Sequence, residues 1–347
     1  MMATLARIKL FALAVFAIFS SSIALGDEPG LRKLTIAEPG HLFQYVPLYY
    51  SIEKGFFRQA GLDVKVLSTG RRDLAMKAVI SGEAFASVHD PAEAALARSR
   101  GADVKIIAPV VNVAALWLVA DKEMTLDTKT WRGKSIALPT PPNTPNSIFL
   151  KELRENGWVG VDRVTYKMKG DDDPSHYLKI LYGGFGTDVT LVINGQANMA
   201  LALEPGASTM IVKADKHVLK DYPETIGPFL NSTINVTEEE IKSDRLTVQK
   251  FVDALTRGYR DAQDHPEELA KVSKQLFPDT DRVVMDAAIK RMLAAKSFPT
   301  DTIFTKQAYE KNLEYLRLGE PNNAAGNIKW EDIADTSFAE AASKRTQ

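Results

Sequence analysis

The chain of 347 residues contains no cysteine. That absence excludes disulfides, thiolate nucleophiles, cysteine-ligated zinc and iron–sulfur clusters together. Histidine is nearly as scarce. The five, at 41, 89, 176, 217 and 265, include no i, i+4 pair to hold a metal from one helix face. Charge of one sign is also missing: 43 basic and 44 acidic side chains cancel to −1, leaving no basic footprint for nucleic acid. No G-x-S-x-G, H-E-x-x-H, G-x-G-x-x-G or phosphate-loop pattern is present. Ser51-Ile52-Glu53-Lys54 matches S-x-x-K, yet no K-T-G or S-D-N follows, and the serine lies within an amphipathic helical stretch. These absences predict a non-enzyme without metal or cofactor.

Long apolar runs are confined to one place. Leu10 to Phe19 is uncharged and apolar, Arg7 and Lys9 precede it, and Ala24-Leu25-Gly26 supplies a small-x-small cleavage pattern. The run is shorter than the ~20 residues of a membrane span. Residues 1–26 are therefore expected to be a signal peptide, whose removal takes the net charge from −1 to −3. With no cysteine to acylate, the mature chain is expected in the periplasm without a lipid anchor.

What is present is an alternation of strand-like and helix-like segments, which predicts an α/β protein with parallel strands. Leu34–Ala37, Leu62–Leu67, Phe85–Val88 and Val104–Val111 read as strands, the last apolar enough to be buried on both faces. Helices are expected from Pro47, over Arg71–Ile80 and over Pro91–Arg100.

The second hundred residues echo the first. Thr35-Ile36-Ala37-Glu38-Pro39 is answered by Ser135-Ile136-Ala137-Leu138-Pro139, and Ile80-Ser81-Gly82-Glu83-Ala84 by Ile193-Asn194-Gly195-Gln196-Ala197. Between them, Leu62-Asp63-Val64 aligns with Val161–Val164 and Thr69-Gly70-Arg71 with Lys169-Gly170-Asp171, placing about ten extra residues around Tyr182–Leu191. Two copies of one unit predict two lobes with a cleft. Lobe I would comprise 27–114 and 233–347, lobe II 115–232, with hinges near Ala115–Ala120 and Phe229–Thr233. Thr233–Val236 would return to lobe I, followed by helices over Glu238–Ala262, Pro266–Leu276, Asp281–Ala295 and Thr305–Leu318.

Open α/β sheets bind ligands beyond the carboxyl ends of their strands, where helix N-termini offer free N–H groups. The corresponding loops are Pro39–Gln44, Ser68–Arg72, His89–Asp90 and Asn112, faced by Thr140–Asn146, Gly170–Asp173 and Glu204–Pro205. Arg71 or Arg72 is a candidate for an anionic ligand group. Asp90 and Glu204 read as helix caps, and Asp171–Asp173 as an acidic loop opening a helix.

Pro47-Leu48-Tyr49-Tyr50-Ser51-Ile52-Glu53-Lys54-Gly55-Phe56-Phe57, followed by Gly61-Leu62-Asp63-Val64, resembles the opening of the nitrate/sulfonate/taurine and thiamine-precursor (NMT1/THI5-like, SsuA/THI5-like) substrate-binding proteins. Leu153–Trp158, Gly195-Gln196-Ala197 and Glu204-Pro205 extend the resemblance across roughly 32–275, with Asn198 standing where the family has Asp. It implies a two-lobed periplasmic-binding-protein (type 2) fold, doubly wound sheets joined by a two-strand hinge. It also implies a monomeric solute receptor that hands a small organic anion or polar heterocycle to an inner-membrane ABC permease and its cytoplasmic ATPase. Its ligand contacts would map onto His41, Phe43, Gln44, Thr69, Gly70, His89, Asn112, Thr140, Asn143, Thr144 and Asn146, beside the charge candidate Arg71. A THI5-like pyrimidine-synthesis enzyme and a ligand-sensing receptor for a membrane signalling partner remain as alternatives.

Overall fold

The computed structural model describes residues 30–345 except 142 and 185. The expected signal peptide lies outside the described residues. In chain order the strands are β1 (Arg32–Glu38), β2 (Leu62–Ser68), β3 (Ala86–His89), β4 (Val104–Val113), β5 (Trp117–Ala120) and β6 (Ser135–Pro139). They continue with β7 (Trp158–Gly160), β8 (Thr165–Met168), β9 (Leu178–Gly183), β10 (Met199–Ala202), β11 (His217–Asp221) and β12 (Pro228–Thr237). Two sheets divide them, ordered β2-β1-β3-β12-β4 and β11-β5-β10-β6-β9-β8-β7.

The alternating pattern sets the first register: β1 runs parallel to β2 with Leu34 beside Val64 and Ile36 beside Val66. The sheet is not all parallel, however. β12 enters between β3 and β4 and runs antiparallel to both. It begins at Pro228, five residues before the expected Thr233, because apolar Phe229 and Leu230 continue it into the core. β4 is buried along most of its ten residues although it lies at a sheet edge. The C-terminal segment covers that edge: Ile106 bridges Ala334, and the Asp335 N–H donates to the Ile106 carbonyl at 2.9 Å.

The helices of the first half are α1 (Val46–Glu53), α2 (Phe56–Gln59), α3 (Arg72–Ile80) and α4 (Pro91–Ser99). Those of the second are α5 (Thr144–Glu155), α6 (Thr187–Ile193), α7 (Gly206–Ala214) and α8 (Tyr222–Ile226). Pro47 lies in the first turn of α1, whose buried face includes Leu48 and Tyr49, and Gly55 at φ +76° turns the chain into α2. After β12 come α9 (Glu238–Ser243), α10 (Arg245–Asp264), α11 (Pro266–Leu276), α12 (Arg282–Ala294), α13 (Lys306–Gly319), α14 (Trp330–Ile333) and α15 (Ser337–Arg345). The single helix expected over Glu238–Ala262 is two, because the Asp244 carboxylate accepts the Thr247 N–H at 3.1 Å and starts a new helix.

The structure corrects the middle of the internal repeat. The strand that parallels β6, as β2 parallels β1, is β9. Val161–Val164 instead belongs to the turn of the β7–β8 hairpin, whose alternating valines imitate a strand. The loop answering Thr69-Gly70-Arg71 therefore follows Gly183, and the inserted piece is the hairpin. β8 runs antiparallel to β9, so Gly170–Asp173 emerges at the end of the sheet away from the other site loops. There Asp171 pairs with Arg132 at 3.1 Å and His176 at 3.1 Å.

The chain crosses between sheets at 114–116, after β4, and through α8 with Gly227, before β12. Of the expected hinge segments, Ala115–Ala120 begins in the first crossing and continues into β5, and Phe229–Thr233 follows the second crossing within β12. The helices after β12 also reach both sheets' layers. α12 packs on α7, and α13 packs on both β12 and α5.

Candidate functional site

The carboxyl ends of β1 and β3 face the start of α5 across a hollow lined from both sheets' layers. Gln44 and Tyr45 reach it from the 3-10 turn after β1, His89 and Asp90 from the end of β3, and Asn231 and Ser232 from β12. Arg72 enters at the start of α3. Leu116, Thr144, Pro145 and Leu203 form the opposite wall. A second hollow shares Arg72, Asp90 and Thr144 and runs between α4, α5 and α13 to Glu93, Asn312 and Tyr315.

Asp90 joins the two walls. Its carboxylate caps α4 by accepting the Ala92 N–H at 3.0 Å, accepts the Asn312 amide at 3.1 Å, and receives the Thr144 hydroxyl from α5. Burial raises the Asp90 carboxyl above its ordinary range, against the opposing pull of these bonds and of Arg72. Glu93 is raised too, by burial and then by the Asp90 charge. A second bridge closes the far side: buried Glu204 accepts the Ser208 N–H at 3.0 Å and the Arg291 Nε–H of α12 at 2.7 Å.

His89 is 1 % exposed, and neither ring nitrogen has a hydrogen-bond partner. Burial, with the Arg72 charge second, pulls its pKa down to about 3, so the imidazole is neutral at physiological pH. Oε1 of the buried Gln44 is likewise without a partner. Tyr45, pushed up to about 12 chiefly by burial, lies with its hydroxyl 3.4 Å from Ser232 Oγ.

Of the residues expected at the site, Gln44, His89 and Thr144 line the first hollow and Asn143 the second. The others line neither. Phe43 is core, packed against Phe277 and Phe298. His41 is exposed and stacks on Tyr49 and Phe277, with ring centroids at 4.3 and 4.9 Å. The Thr69 hydroxyl donates to the Glu38 and Arg71 carbonyls at 2.9 and 2.7 Å, closing its own turn around Gly70 at φ +73°. Arg71 turns outward to Asp73 at 2.8 Å, and the site takes Arg72 instead, one residue further round the α3 start. Asn112 lies on β4 outside both walls, and the Thr140 hydroxyl donates to the Gly183 carbonyl at 3.2 Å. Asn146 folds back on its own loop, donating to the Pro139 carbonyl at 2.6 Å and to Asn143 Oδ1 at 2.7 Å.

Sequence reasoning missed Tyr45, Asn231, Ser232 and Asn312 as wall residues. One signal was available: Asn231-Ser232-Thr233 is a run of three polar residues directly after apolar Phe229-Leu230 in the returning strand. Among the described residues, no group of three or more His, Asp or Glu side chains is placed to hold a metal ion. No described helix is long and apolar enough to cross a membrane.

The sequence is 24% identical over 86% of its length to a putative binding protein, YtlA, of Bacillus subtilis, covering 86% of that protein. It is 22% identical to the riboflavin-binding protein RibY of Chloroflexus aurantiacus, covering 78% of this chain and 74% of that one. The fold superimposes with a TM-score of 0.69 on the zinc-bound ligand-binding component of an ABC-type import system from Staphylococcus aureus. That pair is 12% identical and covers 90% and 99% of the two chains. The likeness shows the fold, the two-lobed periplasmic-binding-protein type that the sequence resemblance implied. The NMT1/THI5-like family profile matches residues 42–269, most of the described chain, and this protein belongs to that family.

Proposed function

We infer that this protein is the extracytoplasmic substrate-binding component of an ABC importer, and that it binds without turning its cargo over. The observation that carries the reading is the cavity between the two sheets. It is roofed by contacts from both sides and holds two buried polar side chains, His89 and Gln44, with orphan hydrogen-bonding atoms. Leaving such atoms unmatched costs about 1–3 kcal/mol each, and a bound molecule that supplies their partners recovers it. The import role of the Staphylococcus aureus neighbour and the binding roles named for YtlA and RibY support the same conclusion.

In this reading the leader directs export and is cleaved after Gly26, and the mature monomer closes about the two crossings at 114–116 and 222–227. A ligand that touches Gln44 and His89 on one side and Thr144 on the other bridges both walls only when they are together, so it shifts the population toward closure. The permease then receives the closed form.

The test is a thermal-shift screen of protein isolated from the periplasm and unfolded and refolded to strip carried-over cargo. The panel spans sulfonates, nitrate, carboxylates, phosphonates, amides and aminopyrimidines, with small-angle scattering on any hit. A ligand at 100-fold its Kd adds about 2.7 kcal/mol, and closure reduces the radius of gyration. No shift across the panel, together with no small molecule in a denatured extract of unstripped protein, would sink the receptor reading. A hit consumed on incubation would favour the enzyme alternative.

A further inference from the structure

We propose that the cargo of this cavity is an uncharged molecule presenting a carboxamide-type edge, with an N–H donor beside an acceptor, that Gln44 and His89 read. The proposal rests on the receptor reading and deepens it. It follows from counting what the walls lack. Gln44 Oε1 is an acceptor and needs a donor. A neutral imidazole has one donating and one accepting nitrogen, so His89 needs an acceptor and a further donor. All three atoms are buried without partners in residues no more than 7% exposed, and both residues line the same hollow.

A nitrate, sulfonate or carboxylate offers acceptors alone. Seated here, it would satisfy one nitrogen of His89 and leave the other, together with Gln44 Oε1, facing an acceptor. The wall charges point the same way. Arg72 is the cationic residue of both hollows, and it is accompanied by Asp90 in both and by Glu93 in the second. A free anion seated in either hollow would therefore share it with an acidic side chain as well as with Arg72. A carboxamide, lactam or urea edge carries the missing acceptor beside one or both of the two missing donors and adds no charge. Sites that hydrogen-bond such an edge reject analogues without it far more strongly than apolar pockets reject a methylene.

The experiment compares near-isosteric pairs on the stripped full-length mature protein: benzamide against benzenesulfonate and benzoate, propionamide against ethanesulfonate, with sodium nitrate alone, by calorimetry and thermal shift. The expected result is binding of at least one carboxamide about 100-fold or more tighter than its anionic partner. Gln44→Leu should reduce that preference to within about tenfold, whereas Arg71→Ala, whose side chain faces solvent, should leave it unchanged. Should Gln44→Leu fold poorly, His89→Asn serves the same purpose. A tighter anionic member overturns the proposal while leaving the receptor reading intact, as does an undiminished preference in both cavity variants. Silence from every pair also overturns it, and the wider panel and the extract of unstripped protein then judge the receptor reading by themselves.

Discussion

Lowering the pH from about 7.5 to 5 should destabilise the protein through His89 alone by about 2 kcal/mol. A free histidine titrates near 6.5, and this one is held down to about 3 by burial. The unfolded chain therefore binds a proton that the folded chain refuses throughout that interval. The stability in question is fully present above about pH 6.5, erodes as pH falls, and is gone by about pH 3. The full interval of about 3.5 units is worth roughly 5 kcal/mol, of which the portion accumulated by pH 5 is about 2. With an unfolding entropy of about 2.1 cal/mol/K per residue, that lowers Tm by about 3 °C. Other groups titrate in the same window, so the quantity to measure is a double difference. Wild type and His89→Met are melted at both pH values, and the variant's loss is subtracted from the wild type's. Methionine fills a similar volume and cannot titrate. A double difference below about 0.5 kcal/mol, or one of opposite sign, would refute the claim that the closed cavity excludes a charged imidazole.

Three further outcomes can be checked on stability alone. Gly258→Ala places a Cβ 2.0 Å from Ser51 Oγ and 3.0 Å from its Cα, where α10 crosses α1. It should cost about 1–3 kcal/mol in urea unfolding, and Ser51→Gly in the same chain should recover most of that. Arg291→Met strands the Glu204 carboxylate, which is 4% exposed. Because the arginine is itself partly exposed, the loss should be about 2 kcal/mol, below that of a wholly buried pair, and Glu204→Gln beside it should restore part. Asp90→Asn removes a carboxyl that burial already pushes toward its neutral form. The folded wild type takes up this proton before the unfolded chain does, so it gains on the untitratable variant as pH falls. The destabilisation should therefore grow as pH is lowered through the acid range, and a cost that shrinks instead would overturn the assignment.

The architecture was legible because it is written in local patterns. Alternation places Leu62, Val64 and Val66 on β2, and prolines at helix starts fix α1 and α4. The paired segments Thr35–Pro39 and Ser135–Pro139 both become central parallel strands. The repeat misled where two valine-containing stretches compete for one role. Sequence spacing favours Val161–Val164, but β6 bonds to β9, which lies further along the chain. The site was half legible for a similar reason. A loop can be located from where its strand ends, whereas the side chain that turns inward depends on a rotation of about 100° per residue at a helix start. Arg71 and Arg72 differ by one such step, and only Arg72 lines the hollows. Phe43 and Gln44 differ in the same way, one entering the core and the other the cavity wall. Asn231, Ser232 and Asn312 come from parts of the chain far removed from the loops that carry the repeat; the polar triplet at 231–233 marks the first two, and no local pattern marks Asn312.

The position of β12 also dictates an order of events during synthesis. Every strand of the second sheet is encoded between Trp117 and Asp221, so that sheet can be completed from one continuous stretch. β4 has no such opportunity. In the first sheet its neighbour is β12, which begins at Pro228, more than a hundred residues after β4 ends. At about 5–20 residues per second, the ribosome leaves an apolar ten-residue strand without its partner for roughly 6–23 s. The half of the molecule made first is therefore finished last, and β4, with Ile106, Ile107, Val110 and Val111 along its length, is the segment that a nascent-chain chaperone has most reason to hold.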